Sequence, residues 1–524
     1  MNTLALFPYL APLALLLVAI LARLEPGRHP RRVLWASRAA TLLSLALSLA
    51  AAVVVFVKGA LVSPLLGAGG LGLSVRLDAL SVVMFWLVAF VGVLVVQFSR
   101  NYLDGDDRHG AFLGGLCLTV AAVLMLVLAG NLFQLVAAWI GTSLALHQLL
   151  VFYAERRGAV IAARKKFIMA RIGDACLIAA AVLYARAFGT ADLGALFEGA
   201  RAALDAGTVP AGVGAAAILV AIAAALKSAM FPSHGWLLEV METPTPVSAL
   251  LHAGLINAGT FLVVRLGDLV MLYTPALWTL MVVGGFTALF ASVAMITQSS
   301  VKTSLAYSSA AHMGFMLMLC GLGAHTVAIL HLVAHSFYKA HAFLSSGSVV
   351  EYVRNVKSPH GASAEDAAPG PLAVLLSLAG SFGIFVGLGT LVGADLAGRP
   401  ASMALGGVFV LAIGYLLSRS LAGQPKAAVI ARTAGAATAV ALAFFSLEAM
   451  AAWMLQSAVT TAPPPDAATL GVMLGVVAAF AAVLMLQTLL PAVRATRFGR
   501  WAYVHLKNGL YANTLLDRWV GTYR

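Results

Sequence analysis

Apolar runs of about 20 residues recur along nearly the whole chain, each long enough to cross a bilayer and each followed by a short polar or charged segment. The runs are continuous rather than alternating, so they read as helices and exclude a closed β-barrel. Spans are predicted at roughly 3–22, 33–57, 79–98, 111–129, 131–153, 167–188, 212–238, 246–272, 276–297, 303–323, 325–350, 371–392, 403–422, 430–456 and 468–491. The predicted fold class is an all-α polytopic membrane protein with about 15 transmembrane helices. The first run begins at Thr3 with no basic region ahead of it and a charged loop behind, which reads as a retained span rather than a cleaved signal.

Composition agrees. Of 524 residues, 61% are hydrophobic and 10% charged, where a soluble domain carries about a quarter charged. The net charge of +13 raises the question of nucleic acid, but the loops account for it. With the amino terminus outside, 24 of the 33 lysines and arginines fall on the cytoplasmic side, in loops, adjoining span ends and the carboxyl tail, against 5 outside. That is the positive-inside bias, and it places the carboxyl terminus in the cytoplasm. Cys117, Cys176 and Cys320 are far apart with no CxxC spacing, so they read as small packing residues. Gly67-Ala68-Gly69-Gly70-Leu71-Gly72 matches the GxGxxG pattern but lies in an external loop without a βαβ unit, and reads as a flexible turn. Residues 357–371 form a polar linker. Residues 499–524 mix aromatic, aliphatic and basic side chains, as an interfacial helix or a docking surface for a partner would.

The stretch from Lys227 to Val263 concentrates the candidate chemistry. A lysine follows a long apolar run, Pro232 breaks the helix, and the next run opens on Pro244-Thr245-Pro246 and carries His252. An ionisable group at bilayer depth costs about 3 kcal/mol or more, so it usually faces a polar interior or a pathway. Freed backbone around an intramembrane proline is tolerated where it lines protein or a water-filled cavity. In the eleventh span His331, His335 and Lys339 stand at i, i+4 and i+8, a column on one helix face with steps of ~6 Å. His341 lies off that face. Histidine titrates near neutrality and desolvation can bring a lysine toward the same range, so the column suits a proton relay. Two bland readings stand beside it: satisfied structural histidines, and a metal pair, for which no HExxH motif or nearby acidic third ligand exists. Asp174 follows Arg171 by three, the spacing of an intrahelical ion pair. Glu239 and Glu242 close the broken seventh span and either feed protons toward Lys227 or are merely solvated. His147 and Glu448 are further intramembrane titratable groups.

On VRLDALSVVM (75–84), KSAMFPSHGWL, ETPTPVSALLHAG, VKTSLAYSSAAHMGF and HLVAHSFYKAHAFLSSGSV, the chain resembles the antiporter-like membrane subunits shared by respiratory complex I and Mrp-type cation/proton antiporters. The resemblance covers roughly residues 75–350 and implies two inverted five-helix repeats, each with a broken helix. It divides the chain into N-terminal spans (1–110), a first repeat (111–272), a second (273–422) and C-terminal spans with an amphipathic tail (423–524). It also implies that Lys227 is the central lysine of the first half-channel, His252 its adjacent relay, and His331, His335 and Lys339 the connecting groups of the second half. Two features depart from the pattern. Trp139 is followed by Ile140 where the family usually has glutamate, and 371–392 holds no charge where a second central lysine belongs.

WIGTSLALHQLLVFY, AHSFYKAHAFLSSGSVV and the tail YVHLKNGLYANTLLDR narrow the resemblance to the DabB family, membrane subunits of DAB inorganic-carbon accumulation complexes in the bacterial inner membrane. That resemblance implies H+ or Na+ conduction that drives CO2 hydration to bicarbonate by a cytoplasmic DabA-like partner, a zinc protein similar to β-carbonic anhydrases. Zinc would belong to that partner. This chain shows no zinc-ligand set, no nucleophile with its base and no phosphate loop, so no cofactor, metal or catalytic residue is assigned to it. Its surroundings would be membrane lipid and the protein partner, not nucleic acid. The rival readings are a proton-pumping subunit of a complex I-like quinone oxidoreductase, a sodium/proton antiporter, and a passive membrane scaffold.

Overall fold

Each predicted span carries helix in the computed structural model, which describes residues 2–68, 71–240, 243–347, 370–393, 400–421, 427–459, 464–488 and 496–521. A 3-10 turn (Thr3–Tyr9) leads into α1 (Leu10–Leu24), followed by α2 (Arg31–Lys58). Four short strands come next: β1 (Leu61–Val62), β2 (Leu66–Ala68), β3 (Leu71–Leu73) and β4 (Arg76–Leu77). The helices then run α3 (Ala79–Tyr102), α4 (His109–Val127), α5 (Leu132–Leu150), α6 (Arg157–Phe188), α7 (Leu193–Asp205), α8 (Val213–Lys227), α9 (Gly235–Glu239), α10 (Thr245–Ala253), α11 (Ala258–Arg265) and α12 (Gly267–Val270). After these come α13 (Thr274–Ile296), α14 (Val301–Gly321), α15 (His325–Leu344), α16 (Pro371–Leu391), α17 (Pro400–Ser420), α18 (Ala427–Leu455), α19 (Ala467–Thr488), α20 (Arg497–Lys507) and α21 (Ala512–Val520).

Eleven of these helical stretches are long and apolar enough by themselves to cross a membrane. The expected number of about 15 is not fixed by length and composition. α8 is only 15 residues long, and α14 and α15, at 21 and 20 residues, are diluted by serine, tyrosine, histidine and lysine. The helix breaks fall in the seventh and eighth predicted spans. From α13 to α17 the helices run unbroken through their described residues.

Two surface elements were not legible as such. The glycine-rich loop is a hairpin, β1 pairing with β4 and β2 with β3, both antiparallel. Gly67 faces Gly72 in that register, and a Cβ on Gly67 would lie 2.1 Å from the Leu71 carbonyl oxygen. The glycines thus serve close strand approach rather than a phosphate cradle. On the same side α7 is capped by Asp192, whose carboxylate accepts the Ala195 N–H at 3.0 Å. It buries Leu193, Leu196, Phe197, Ala200 and Ala203, a helix too short to register as a span.

Arg265, which falls within the eighth span, is a latch. Its Nη1 donates to Asp78 Oδ2 at 2.6 Å and its Nη2 to Asp78 Oδ1 at 3.1 Å and to Ser81 Oγ at 2.9 Å. Asp78 also caps α3 by accepting the Ser81 N–H at 2.9 Å. Burial alone would push the Asp78 carboxyl up, but the charge and hydrogen bonds of Arg265, with Arg76, hold it well below the usual carboxylate range. Its contribution to stability is therefore full above the ordinary carboxylate pKa and is lost only in strong acid. Arg265→Ala strands a buried carboxylate and is expected to destabilise the protein by about 3–5 kcal/mol. Unfolding in detergent measures this. A midpoint no lower than that of Arg76→Ala, which leaves Asp78 its bidentate partner, would remove the latch role.

Candidate functional site

The two broken spans meet each other. α8 stops at Lys227, the chain turns through Ser228 and Ala229 (φ 54), and it resumes as α9. α10 stops at Ala253, a 3-10 turn follows over Leu255–Asn257, and α11 continues. Ser228 Oγ donates to the Ile256 carbonyl at 3.0 Å, so a hydroxyl in one break satisfies backbone freed in the other. Gly259 permits the approach, since a Cβ there would lie 2.2 Å from Ser228 Oγ and 2.5 Å from the Ala224 carbonyl oxygen.

Lys227 sits at the open end of α8. Its Nζ donates to Thr142 Oγ1 at 2.9 Å and to the Trp139 carbonyl at 3.3 Å, and lies 4.4 Å from the centre of a Trp139 ring. Thr142 Oγ1 spends its own proton on the same carbonyl at 2.8 Å, which leaves it an acceptor for the amine. Both hydrogen-bond acceptors of Lys227 are thus neutral groups, and it forms no ion pair among the described residues. Asp174 is instead paired with Arg171 at 2.6 Å, as the i, i+3 spacing anticipates. A cavity of about 20 Å³ touches Lys227, Lys166, Trp236, Leu251 and Ile256, room for about one water.

Lys166 was not singled out by the sequence. It and Lys165 look like loop residues at the head of the sixth span. α6 begins at Arg157, however, and both lysines are buried. The Lys166 Nζ donates to the Ser143 carbonyl at 2.7 Å and to Ser143 Oγ at 3.0 Å. His147, one turn further along α5, packs 5.0 Å from the Phe167 ring and is close enough to Lys166 for their charges to interact. Glu239 accepts from Lys165 at 2.5 Å and from Asn513 Nδ2 at 2.8 Å, so it is paired rather than merely solvated. Glu242 lies outside the described residues.

A second cluster forms where α15 packs against α10 and α14. Leu305, Ser309 and His312 stand at i, i+4 and i+7 on one face of α14. Ser309 Oγ donates to the Leu305 carbonyl at 3.1 Å, and the fully buried Lys339 donates to the same carbonyl at 3.0 Å. With its proton so placed, Ser309 Oγ accepts from His252 Nδ1 at 2.9 Å. His252 then presents a bare Nε2, and its ring stacks on Phe343 at 4.3 Å. His312 Nδ1 and His331 Nε2 share a hydrogen bond at 2.9 Å. The His335 ring lies 4.9 Å from His312 and 6.5 Å from His331. The column read on α15 is therefore present, and His312 joins it from the neighbouring helix. His341 is exposed. Glu448, on α18, is half-buried.

Apart from Glu239, which pairs with Lys165, and Glu242, the predicted path residues separate into two groups. Lys227 and Asp174, with Lys166 and His147, line the first; His252, His331, His335 and Lys339, with His312, form the second. They adjoin at α10, where Leu251 lines the Lys227 cavity and its neighbour His252 faces Ser309. His312 was missed because its relation to α15 is tertiary; the signal available was a lone histidine inside a span.

Residues 129–362 match the family described as NADH:quinone oxidoreductase/Mrp antiporter, TM, and residues 66–113 match the N-terminal part of complex I chain 5. The chain is 37% identical to a protein named a probable inorganic carbon transporter subunit, DabB2, of Halothiobacillus neapolitanus, over 98% of this chain and 92% of that one. It is 40% identical to the corresponding DabB of Hydrogenovibrio crunogenus over 64% of each. Its fold is similar to that in the Mrp complex from Dietzia sp., with a TM-score of 0.68 and 24% identity over 98% of this chain and 59% of that one.

Proposed function

The chain belongs to the DabB family of antiporter-like membrane subunits, and from that premise we propose that it conducts protons across the membrane to drive CO2 hydration by a zinc-containing, carbonic-anhydrase-like partner. The coarser function, a multi-pass cation-translocating subunit of a larger complex, follows from the family itself. The finer one rests on a single observation: Lys227 is held by neutral oxygens beside a water-sized cavity, not locked in a salt bridge. An amine so held can take up and lose a proton without breaking an ion pair.

The lining chemistry favours H+ over Na+. Hard cations prefer oxygen ligands, whereas the titratable groups of this path are imidazoles and amines, nitrogen bases that take up protons readily but are poor ligands for a hard cation. Protons would pass between the His331/His335/Lys339 column and the Lys227/His252 centre, with His312 as an added station. Asp174 would set the local field, and His147 and Glu239 would lie toward the cytoplasmic side. Docking on the basic cytoplasmic face would transmit the flow to the partner.

Complementation of a carbonic-anhydrase-deficient strain in ordinary air tests this reading. Growth is expected only when this chain and its zinc partner are expressed together, and an uncoupler should abolish it. Growth that persists with the uncoupler overturns energy coupling. Purification with iron–sulfur and quinone-binding subunits in place of one zinc protein would favour the complex I-like reading instead.

A further inference from the structure

Two adjacent lysines of α6 are held in opposite ways. Lys165 and Lys166 lie about 12–14 Å along the helix from Arg157, and both are buried. Neighbours on a helix point about 100° apart, so the two amines reach different surroundings. Lys165 reaches the C-terminal segment, where α21 docks against α6 and α9. It donates to Asn513 Oδ1 at 3.1 Å and pairs with Glu239 at 2.5 Å and with Asp517. That amine is fixed among carboxylates.

Lys166 reaches α5 instead. Its Nζ donates to the Ser143 carbonyl at 2.7 Å and to Ser143 Oγ at 3.0 Å, and no carboxylate pairs with it among the described residues. Ser143 adjoins Thr142, whose Oγ1 accepts from Lys227 Nζ at 2.9 Å. Consecutive hydroxyl residues of one helix therefore hold two amines that have no ion pair. Both lysines line the same cavity of about 20 Å³, room for about one water. The charged groups that reach Lys166 are Lys227 on α8 and Arg171 and Asp174 on α6. The titratable group facing it from α5 is His147. Asp174 is already paired with Arg171 at 2.6 Å. Two ammonium groups on one small cavity repel each other, so a proton gained by one favours its loss from the other.

We propose that Lys166 is a second conducting amine, which exchanges a proton with Lys227 through the cavity they share. This rests on the proton-conducting reading above. The Lys227 ammonium gives a proton to a water in the cavity, and that water passes one of its protons to the Lys166 amine. Lys227 ends neutral, Lys166 ends charged, and no other bond changes. From Lys166 the proton continues toward His147, four residues beyond Ser143 on α5 and nearer the α5–α6 loop. Lys166 cannot stand in for Lys227 at the helix breaks, because Ser143 holds it on the α5 side. It can only exchange with it.

The test uses the full chain with its partner in proteoliposomes, with proton flux read by an internal pH dye. Lys166→Met keeps an unbranched side chain of similar volume and leaves the Ser143 carbonyl within the α5 ladder. Lys166→Arg keeps a positive charge that does not release its proton. Both should lower flux per assembled complex at least about tenfold. Wild-type flux in Lys166→Met overturns the proposal. So does wild-type flux in Lys166→Arg, because a fixed positive charge would then suffice. Loss of assembly in both variants also overturns it and makes Lys166 a structural tie between α5 and α6. Where only one variant assembles, its flux decides. Lys227→Ala is run in parallel. If that variant conducts normally, the underlying proton-path reading fails; if it is silent while Lys166→Met conducts normally, only the Lys166 proposal fails.

Discussion

Lys227→Ala is expected to reduce proton flux to the level of empty vesicles while the complex still assembles. The two halves of that expectation have different origins. Assembly should survive because Lys227 makes no ion pair among the described residues; it contacts a threonine hydroxyl, a backbone carbonyl and a tryptophan face. Removing it strands no opposite charge, which is the usual source of large losses at buried polar sites. Thr142 keeps its bond to the Trp139 carbonyl at 2.8 Å, so no donor or acceptor is orphaned there. Conduction should fail because the amine is the titratable group at the junction of the two helix breaks. The remaining basic neighbour, Lys166, is tied to Ser143 at 2.7 Å and 3.0 Å. The readout is flux per assembled complex. Wild-type flux in Lys227→Ala would leave a membrane scaffold as the better account.

The comparison with Arg265 sharpens the point. Both residues are basic, lie within broken spans and look alike in the sequence, yet they do opposite work. Arg265 is neutralised by Asp78 in a bidentate pair whose side chains are 2% and 1% exposed; Lys227 has no such partner. Ile140 follows Trp139, leaving α5 without a carboxylate beside the amine, and Asp174, the acid in the next helix, is committed to Arg171. A mobile proton needs an uncommitted site, and a fixed ion pair is a latch.

What was legible in the sequence follows the same division between local and tertiary information. The spans emerge because apolar runs are a local property. The break in the seventh span emerges because Pro232 interrupts an apolar run, whereas the break over Gly254–Asn257 in the eighth holds no proline, and Pro244-Thr245-Pro246 only opens α10. The α15 column emerges because i, i+4 and i+8 are fixed by helix geometry alone. His312 required the packing of α14 on α15. Lys165 and Lys166 misled because basic residues at the head of a span look like loop, whereas α6 starts at Arg157 and buries them. Asp517 was least legible of all. It lies 352 positions from Lys165 along the chain, and the tail's aromatic and basic composition describes α20 while giving no hint of where α21 docks.

Lys339→Met is expected to separate function from stability in the opposite direction from Arg265→Ala. Methionine nearly matches the volume and flexibility of the lysine stem, so the buried site on α15 should stay filled. Replacing a buried charge by an apolar group of similar shape is commonly neutral or stabilising. The Leu305 carbonyl that Lys339 addresses at 3.0 Å keeps the Ser309 hydroxyl at 3.1 Å, so it is not orphaned. Thermal stability in detergent should therefore equal or exceed that of the wild type. Flux should nevertheless be lost, because Lys339 shares a face of α15 with His331 and His335 and addresses the Leu305 carbonyl, which also accepts from Ser309, the partner of His252. Lys339→Arg should not rescue, since guanidinium does not release its proton in proteins. Loss of stability together with flux in Lys339→Met would mark Lys339 as a structural charge; full flux in Lys339→Arg would show that only positive charge is needed there, not a group that gives and takes a proton.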